Sequence, residues 1–256
     1  DSTTRVVCGQ GPAPEAATIE RYRAAGFRIM PGSGLMAAVV PGAVDAWLLM
    51  LRDFGTMELG ELLEPAIGYC EAGYPLVPRI PDTISTVERL FREEWHTSAE
   101  LWLPGGALPR PGTLFRNRKL AATWRRLVAE AEAGGGNRED RVERARTVWA
   151  EGFVAEAVDR FCRTTSHLDI SGERHGGLLT GDDMAGWRAR LEEPATLDYK
   201  GYRVCKNGFW GQGPVMLQTL ALLRELDLDG TAPTGPDFVH YVVEAMKLAF
   251  ADRDAW

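Results

Sequence analysis

The sequence predicts an α+β protein that is predominantly α-helical with a few short strands. Apolar residues recur at spacings of three or four through most of the chain, a pattern typical of amphipathic helices. Alternating patterns typical of strands are short and few. The clearest is ATLDYKGYRVCKNGF (195–209), in which two runs flank Lys200 and Gly201 like the arms of a hairpin.

Proline and glycine set the bounds of the helices expected between residues 41 and 95. Proline is compatible with the first turn of a helix but not with its interior, and glycine commonly ends a helix. Pro65 is therefore expected to begin a new helix rather than to continue the one before it. Asp82 supplies a side-chain cap for the last helix of this region. The expected helices cover residues 41–54, 58–63, 65–73 and 82–95.

The second part of the chain begins with LPGGALPRPG (103–112), which must be a loop because three prolines interrupt it. Asp140 is expected to cap one of the helices that follow, and Pro214 to open the last of them. That last helix is apolar almost all round, so we expect it to be buried on every side. The expected helices cover residues 116–133, 140–150, 153–162 and 215–226. No repeat or linker is visible, which predicts a single domain over residues 1–256.

Composition excludes several classes of function. Hydrophobic residues make up 45% of the 256 residues and charged residues 25%, as in ordinary globular proteins. The formal net charge of −7 argues against nucleic acid as a partner, because phosphate contacts need a basic surface. No apolar run approaches the roughly 18 residues of a membrane span, so no membrane partner is expected. Because the first residue is Asp1 rather than Met, the chain is expected to begin partway into a longer gene product.

Neither cysteine nor histidine follows the spacing of a metal site. The cysteines have no CxxC pair and are interpreted as small buried side chains, with a slight preference for a reducing cytoplasm over export. His240 and Glu244 lie one helical turn apart, as a ligand pair would, but with Lys247 they also fit a solvated helix face, which we prefer. No metal and no cofactor is expected. The cysteines are Cys8, Cys70, Cys162 and Cys205.

Two motifs lie at expected helix starts. GFWGQG (208–213) precedes a helix, where an anion could bind, but its glycines do not match the dinucleotide fingerprint, and a tight packing turn is preferred. The pair Asp182 and Asp183 could suggest carboxylate chemistry. The preferred interpretation is a helix N-terminus, with Thr180 as the cap and Asp183 three residues later at the position of a capping box.

The stretch RTTSHLDI (163–170) offers hydroxyls beside an imidazole, which are the groups of a nucleophile and its base. Nucleophile and base must meet in space, however, and residues adjacent in sequence rarely do so productively. A polar loop is the preferred interpretation.

Four segments resemble, in order, the γ-glutamyltranspeptidase family, in particular its large subunit. AAVVPGAVDAWLLMLRDFGTMELGELLEPAIGYCEAGYPL (37–76) contains a VPG turn, a helix, an FGT step and an L-x-P-A-I helix. GGLLTGDDMAGWRARLEEP (176–194), GYRVCKNGFWGQGPVMLQTLALLRELDL (201–228) and HYVVEAMKLAFADRDAW (240–256) follow. The similarity extends from about residue 6 to residue 256.

The resemblance implies an N-terminal-nucleophile hydrolase, in which two sheets lie between helical layers (αββα). It implies a precursor that cleaves itself and a small catalytic subunit from that precursor, whose first residue is the catalytic threonine. The substrate would be a small-molecule amide or γ-glutamyl compound. The nucleophile is then expected downstream of Trp256, so this chain is expected to contain most of the large subunit, without its N-terminal part, and no catalytic residue. The alternative is a non-catalytic helical protein-interaction domain.

Gln10 is the candidate substrate-binding residue. It lies in VVCGQGPAP (6–14), a bend whose glycines suggest a close approach of the backbone to another part of the protein. In the family the corresponding segment resembles D-x-R-E-x-A-P, whose arginine binds the α-carboxylate of the glutamyl group. Ala13 and Pro14 set the register, which places Gln10 at that arginine. A charged bidentate contact would be lost, and the acyl specificity would change with it.

Overall fold

The computed structural model of the chain describes residues 3–255, which fold into two compact units. The larger unit spans residues 9–189, and the smaller unit contains residues 3–8 and 190–255. Both units combine helices with short strands, as predicted. The single domain expected over residues 1–256 stays a prediction.

The helices are more extensive than the strands. In chain order they are α1 (Ile19–Ala24), α2 (Ala43–Phe54), α3 (Leu59–Ala72), α4 (Arg79–Glu93), α5 (His96–Trp102), α6 (Arg118–Glu132), α7 (Arg138–Glu151), α8 (Phe153–Thr164), α9 (Gly181–Ala185), α10 (Gly213–Arg224) and α11 (Pro236–Ala255). The strands are β1 (Val6–Cys8), β2 (Tyr74–Pro75), β3 (Leu114–Phe115), β4 (Ser166–Leu168), β5 (Arg174–Gly176), β6 (Arg190–Glu192), β7 (Ala195–Tyr199) and β8 (Tyr202–Lys206). Within the described residues they pair antiparallel in twos, as β1–β6, β2–β3, β4–β5 and β7–β8.

The main core of the larger unit lies where α2, α3, α6 and α7 meet. Leu127 and Val142 are each 1% exposed there, and Leu51 and Leu59 pack with them. Burying one such side chain contributes about 1.5–3 kcal/mol to stability. A second core beneath α8 and α9 includes Val40, which positions the segment discussed below.

The smaller unit confirms the predicted hairpin. β7 pairs with β8 in register from Ala195 opposite Lys206 to Tyr199 opposite Tyr202. At the turn, Lys200 and Gly201 have φ angles of 47° and 83°, the left-handed geometry of a two-residue hairpin loop. Helices α10 and α11 pack against each other beside this hairpin.

The helix break predicted at Pro65 is wrong. Helix α3 is continuous and holds Pro65 in its interior, where the missing amide hydrogen costs one helical hydrogen bond. Packing offsets this cost, because Ile67 is 2% exposed and the Glu71 carboxylate binds Arg125 of α6 at 2.9 Å. The tertiary contacts of α3 therefore override the local effect of proline.

Two helix starts and one burial prediction also differ from the sequence analysis. Helix α4 begins at Arg79, so Asp82 lies in its first turn rather than at its cap. Helix α7 is capped by Asn137, whose Oδ1 accepts the amide hydrogen of Asp140 at 2.9 Å. In turn, Oδ2 of Asp140 accepts the amide hydrogen of Asn137 at 3.0 Å, which completes a capping box. Helix α10 is not buried on every side, because Met216 is 46% exposed.

Candidate functional site

Gln10 lies in a segment without regular secondary structure that follows β1 and precedes α1 in the chain. We call residues 9–15 the Gln10 loop. Gln10 is exposed, whereas Gly11 and Pro14 on its C-terminal side are buried. The loop therefore leaves Gln10 accessible while its neighbours are anchored.

Two glycines hold the Gln10 loop against the segment that leads into α2. A Cβ atom at Gly9 would lie 2.8 Å from the Cβ of Ala46, and one at Gly11 would lie 2.1 Å from the carbonyl oxygen of Val40. Both distances are shorter than a carbon contact allows, so only glycine permits this approach. The close approach expected from VVCGQGPAP is thus confirmed, and its target is the start of α2.

The turn that begins α2 completes this contact. A Cβ atom at Gly42 would lie 2.4 Å from Cη2 of Trp187 and 2.6 Å from the carbonyl oxygen of Gly9. Three glycines therefore allow the loop, the VPG turn and Trp187 to pack together. The packing fixes the backbone on both sides of Gln10.

Hydrogen bonds hold the second half of the Gln10 loop. The amide of Val40 donates to the carbonyl of Pro12 at 3.0 Å. The amide of Glu15 donates to Oδ1 of Asp183 at 2.8 Å, across 168 positions of sequence. The loop is therefore tied to two distant parts of the larger unit.

Thr180 caps α9, and Asp183 completes its capping box, as predicted. Oδ2 of Asp183 accepts the amide hydrogen of Thr180 at 2.9 Å and the Thr180 hydroxyl at 2.7 Å, and the Thr180 hydroxyl oxygen accepts the amide hydrogen of Asp183 at 3.2 Å. Burial alone would raise the pKa of Asp183, but the hydrogen bonds from Glu15 and Thr180 hold it below its usual range. The carboxylate is thus ionised and bound on both oxygens.

A buried ion pair that sequence analysis missed braces α2 behind the loop. Arg146 of α7 binds Asp45 through two bonds, Nε to Oδ1 at 2.8 Å and Nη2 to Oδ2 at 2.9 Å. Oδ2 of Asp45 also accepts the amide hydrogen of Ala189 at 2.6 Å. Burial alone would lower the pKa of Arg146. The hydrogen bonds and the negative charge of Asp45 have the larger effect, so the pKa of Arg146 is raised. The available signal was an aspartate between apolar residues in the first turn of α2.

RTTSHLDI does not form a nucleophile and base. The hydroxyls of Thr164 and Thr165 donate to the carbonyls of Arg160 and Phe161, at 2.7 Å and 2.6 Å, and so extend the bonding of α8. The expected polar loop is also wrong, since part of the stretch forms β4 and pairs with β5. The ring of His167 packs beside Phe161, with ring centres 5.6 Å apart.

The β4–β5 hairpin brings together three polar side chains that sequence analysis did not group. Oδ2 of Asp169 lies 2.7 Å from Nδ1 of His175, and its Oδ1 accepts the hydroxyl of Ser171 at 2.6 Å. Asp169 is buried; burial raises the pKa of its carboxyl, but the bonds from Ser171 and His175 hold it below the usual range. The D-x-S spacing is the local signal of such a turn. These contacts fix the hairpin turn.

The remaining motifs have structural roles. Lys247 donates to Glu244 at 2.8 Å on an exposed face that includes His240, which fits the solvated stripe. In the Gly-rich turn, a Cβ atom at Gly213 would lie 2.2 Å from the carbonyl oxygen of Asn207, so the tight packing turn is confirmed. Residues 3–255 contain no cluster of three or more His, Cys, Asp or Glu side chains suited to a metal. In the same residues no helix is long and apolar enough to span a membrane.

Comparison with solved structures defines the class of protein. The structure of LmbA2991HD is 53% identical, with a TM-score of 0.93 over 98% of this chain and 43% of that chain. The cephalosporin acylase from Bacillus halodurans is 29% identical, with a TM-score of 0.81 over 97% of this chain and 43% of that chain. The fold is that of the N-terminal-nucleophile hydrolases, as the resemblance implied.

The family follows from the sequence. The family model described as gamma-glutamyltranspeptidase matches residues 1–256. The glutathione hydrolase-like YwrD proenzyme of Bacillus subtilis (strain 168) is 30% identical over 253 residues, which are 98% of this chain and 43% of that protein. This chain belongs to the γ-glutamyltranspeptidase family, and it spans less than half the length of these relatives.

Proposed function

We propose that this chain is most of the large subunit of a γ-glutamyltranspeptidase-like amide hydrolase or acyltransferase. The family match over all 256 residues, within less than half the length of the relatives, carries the proposal. Its partner would be a small catalytic subunit from the same precursor, since the relative from Bacillus subtilis is a proenzyme. The nucleophile would be the threonine that begins this small subunit, with its freed α-amine as the base.

The acyl pocket of the proposed enzyme would include Gln10. Gln10 is exposed on a backbone that three glycine contacts hold in place, as a residue that binds substrate should be. Glutamine carries no charge and lacks the planar fork of N–H donors with which arginine binds a carboxylate through two charge-assisted bonds. The enzyme should therefore prefer acyl groups without the α-carboxylate, such as 4-aminobutyryl, over γ-glutamyl.

The test compares two substrates that differ only in the α-carboxylate, γ-glutamyl-p-nitroanilide and 4-aminobutyryl-p-nitroanilide. The complete, processed protein is assayed as wild type and as Gln10→Arg. We expect arginine to raise the ratio of kcat/KM for the glutamyl substrate over the 4-aminobutyryl substrate by about threefold to thirtyfold. The matched control is Gln212→Arg, which adds the same charge at another exposed glutamine. An unchanged ratio in Gln10→Arg would mean that Gln10 is not in the pocket.

The alternative is a non-catalytic helical interaction domain. It is not favoured, because the relatives that cover nearly all of this chain carry the names of a hydrolase and an acylase. Release of p-nitroaniline from either anilide by the complete protein would exclude it.

A further inference from the structure

We propose that Asp183 is a positioning residue, which fixes the Gln10 loop by accepting the amide hydrogen of Glu15. The inference rests on the proposed function, since it takes Gln10 to lie in the acyl pocket. Asp183 would not contact the substrate itself, but it would determine the position of Gln10.

The position of the Gln10 loop depends on the contacts at its two ends. The loop has no regular secondary structure, and the close contacts of Gly9 and Gly11 hold only its first half. Beyond Pro12, the buried Pro14 and the 2.8 Å bond from Glu15 to Asp183 hold the loop. Without this bond, the second half loses an anchor that lies 168 positions away in sequence.

The contact between Glu15 and Asp183 needs a carboxylate. Asp183 accepts from Glu15 on one oxygen and from Thr180 on the other. Asparagine has a single acceptor oxygen, and its NH₂ group would face a donor. Asp183→Asn must therefore give up either the loop contact or the cap of α9.

Two variants separate these roles. Thr180→Ala removes the cap hydroxyl of α9 but leaves the bond from the amide of Glu15 to Asp183. It therefore measures how loss of the cap alone affects exchange and kinetics. Asp182→Asn makes the same chemical change one residue earlier, at an exposed side chain. Neither variant should alter the Gln10 loop.

The expected kinetic effect lies mainly in KM. A displaced loop weakens contacts to the acyl group, whereas the proposed nucleophile belongs to another subunit. For 4-aminobutyryl-p-nitroanilide we expect Asp183→Asn to raise KM by about tenfold and to change kcat by less than about threefold. Thr180→Ala and Asp182→Asn should leave both constants near their wild-type values.

The experiment combines these assays with hydrogen–deuterium exchange of the complete, processed protein. Faster exchange in residues 9–16 of Asp183→Asn, together with its higher KM and with neither change in the two controls, would support the proposal. Unchanged exchange in Asp183→Asn, or an equal rise of KM in Thr180→Ala, would overturn it. If the wild type cleaves neither anilide, the proposed function fails, while the exchange of the Glu15 amide still decides whether Asp183 holds the loop.

Discussion

Asp45 and Arg146 form a two-bond ion pair inside the larger unit, with their side chains 3% and 5% exposed. The pair joins the start of α2 to the middle of α7, and Asp45 also holds the amide of Ala189. It therefore braces the helix on which the Gln10 loop rests.

Removing one partner of this pair should strongly destabilise the protein. Asp45→Ala removes the buried two-bond partner of the Arg146 guanidinium, which then keeps only the half-exposed Glu143, 2.9 Å from its Nη1. We expect this to cost about 3–5 kcal/mol in the free energy of unfolding. Urea denaturation of the variant would measure this loss. Arg89→Ala is the control, because its pair with Glu93 is exposed and should contribute less than about 1 kcal/mol. Equal losses in both variants would contradict the bracing role.

A methyl group at position 11 should displace the Gln10 loop. Gly11→Ala would place its Cβ 2.1 Å from the carbonyl oxygen of Val40, and relieving such overpacking costs about 1–3 kcal/mol. Gly68→Ala is the matched control, because its Cβ meets nothing within 4 Å and its position is helical. It should stabilise α3 by about 0.5–1 kcal/mol. Thermal unfolding of both variants would show opposite shifts in Tm.

The Asp169 carboxylate should make stability depend on pH in the acidic range. Its pKa lies below the usual range in the folded protein and near about 3.9 in the unfolded chain, so the unfolded chain takes up the proton first on acidification. The stabilisation is complete above about pH 5 and is lost progressively as the pH falls through the folded pKa.

Asp169→Asn should remove this contribution and flatten the dependence of the unfolding free energy on pH. Urea denaturation between about pH 3 and pH 7 would measure it. Asp182→Asn, at an exposed aspartate, should keep the wild-type slope. The same slope in both variants would mean that the contacts to Ser171 and His175 do not favour the ionised form.

Residues 1–256 alone should not cleave γ-glutamyl anilides. The hydroxyls of Thr164 and Thr165 are engaged with backbone carbonyls of α8, so neither is activated as a nucleophile. Assay of the purified chain for release of p-nitroaniline would check this. Activity that disappears in Thr164→Ala or Thr165→Ala would place the nucleophile in this chain and contradict the proposed small-subunit threonine.

The features predicted from sequence depend on short-range chemistry. The β7–β8 turn follows from Lys200-Gly201, and the start of α9 follows from Thr180 and Asp183, because each is decided by residues within four positions of each other. The close approach at the Gln10 loop could also be expected, since glycines in a bend indicate a lack of space for Cβ atoms.

The features that sequence analysis missed depend on residues far apart in the chain. The continuity of α3 through Pro65 comes from its contacts with α6, and the partner of Asp45 lies 101 positions away. The second role of Asp183 depends on Glu15, which no local pattern connects to it. The role of Gln10 in specificity stays a prediction, because it rests on a resemblance and a register.

The bond between Glu15 and Asp183 has a consequence for synthesis of the chain. The bond closes a loop whose ends are 168 positions apart, and the loss of chain entropy grows with the logarithm of the loop length. Contacts formed within this loop must offset that loss. Gln10 is synthesised before Asp183, and Asp183 is added only after α2 to α8 have been synthesised. Anchoring of the Gln10 loop is therefore a late event, and a truncated nascent chain that ends before residue 183 would leave this loop without the bond to Asp183.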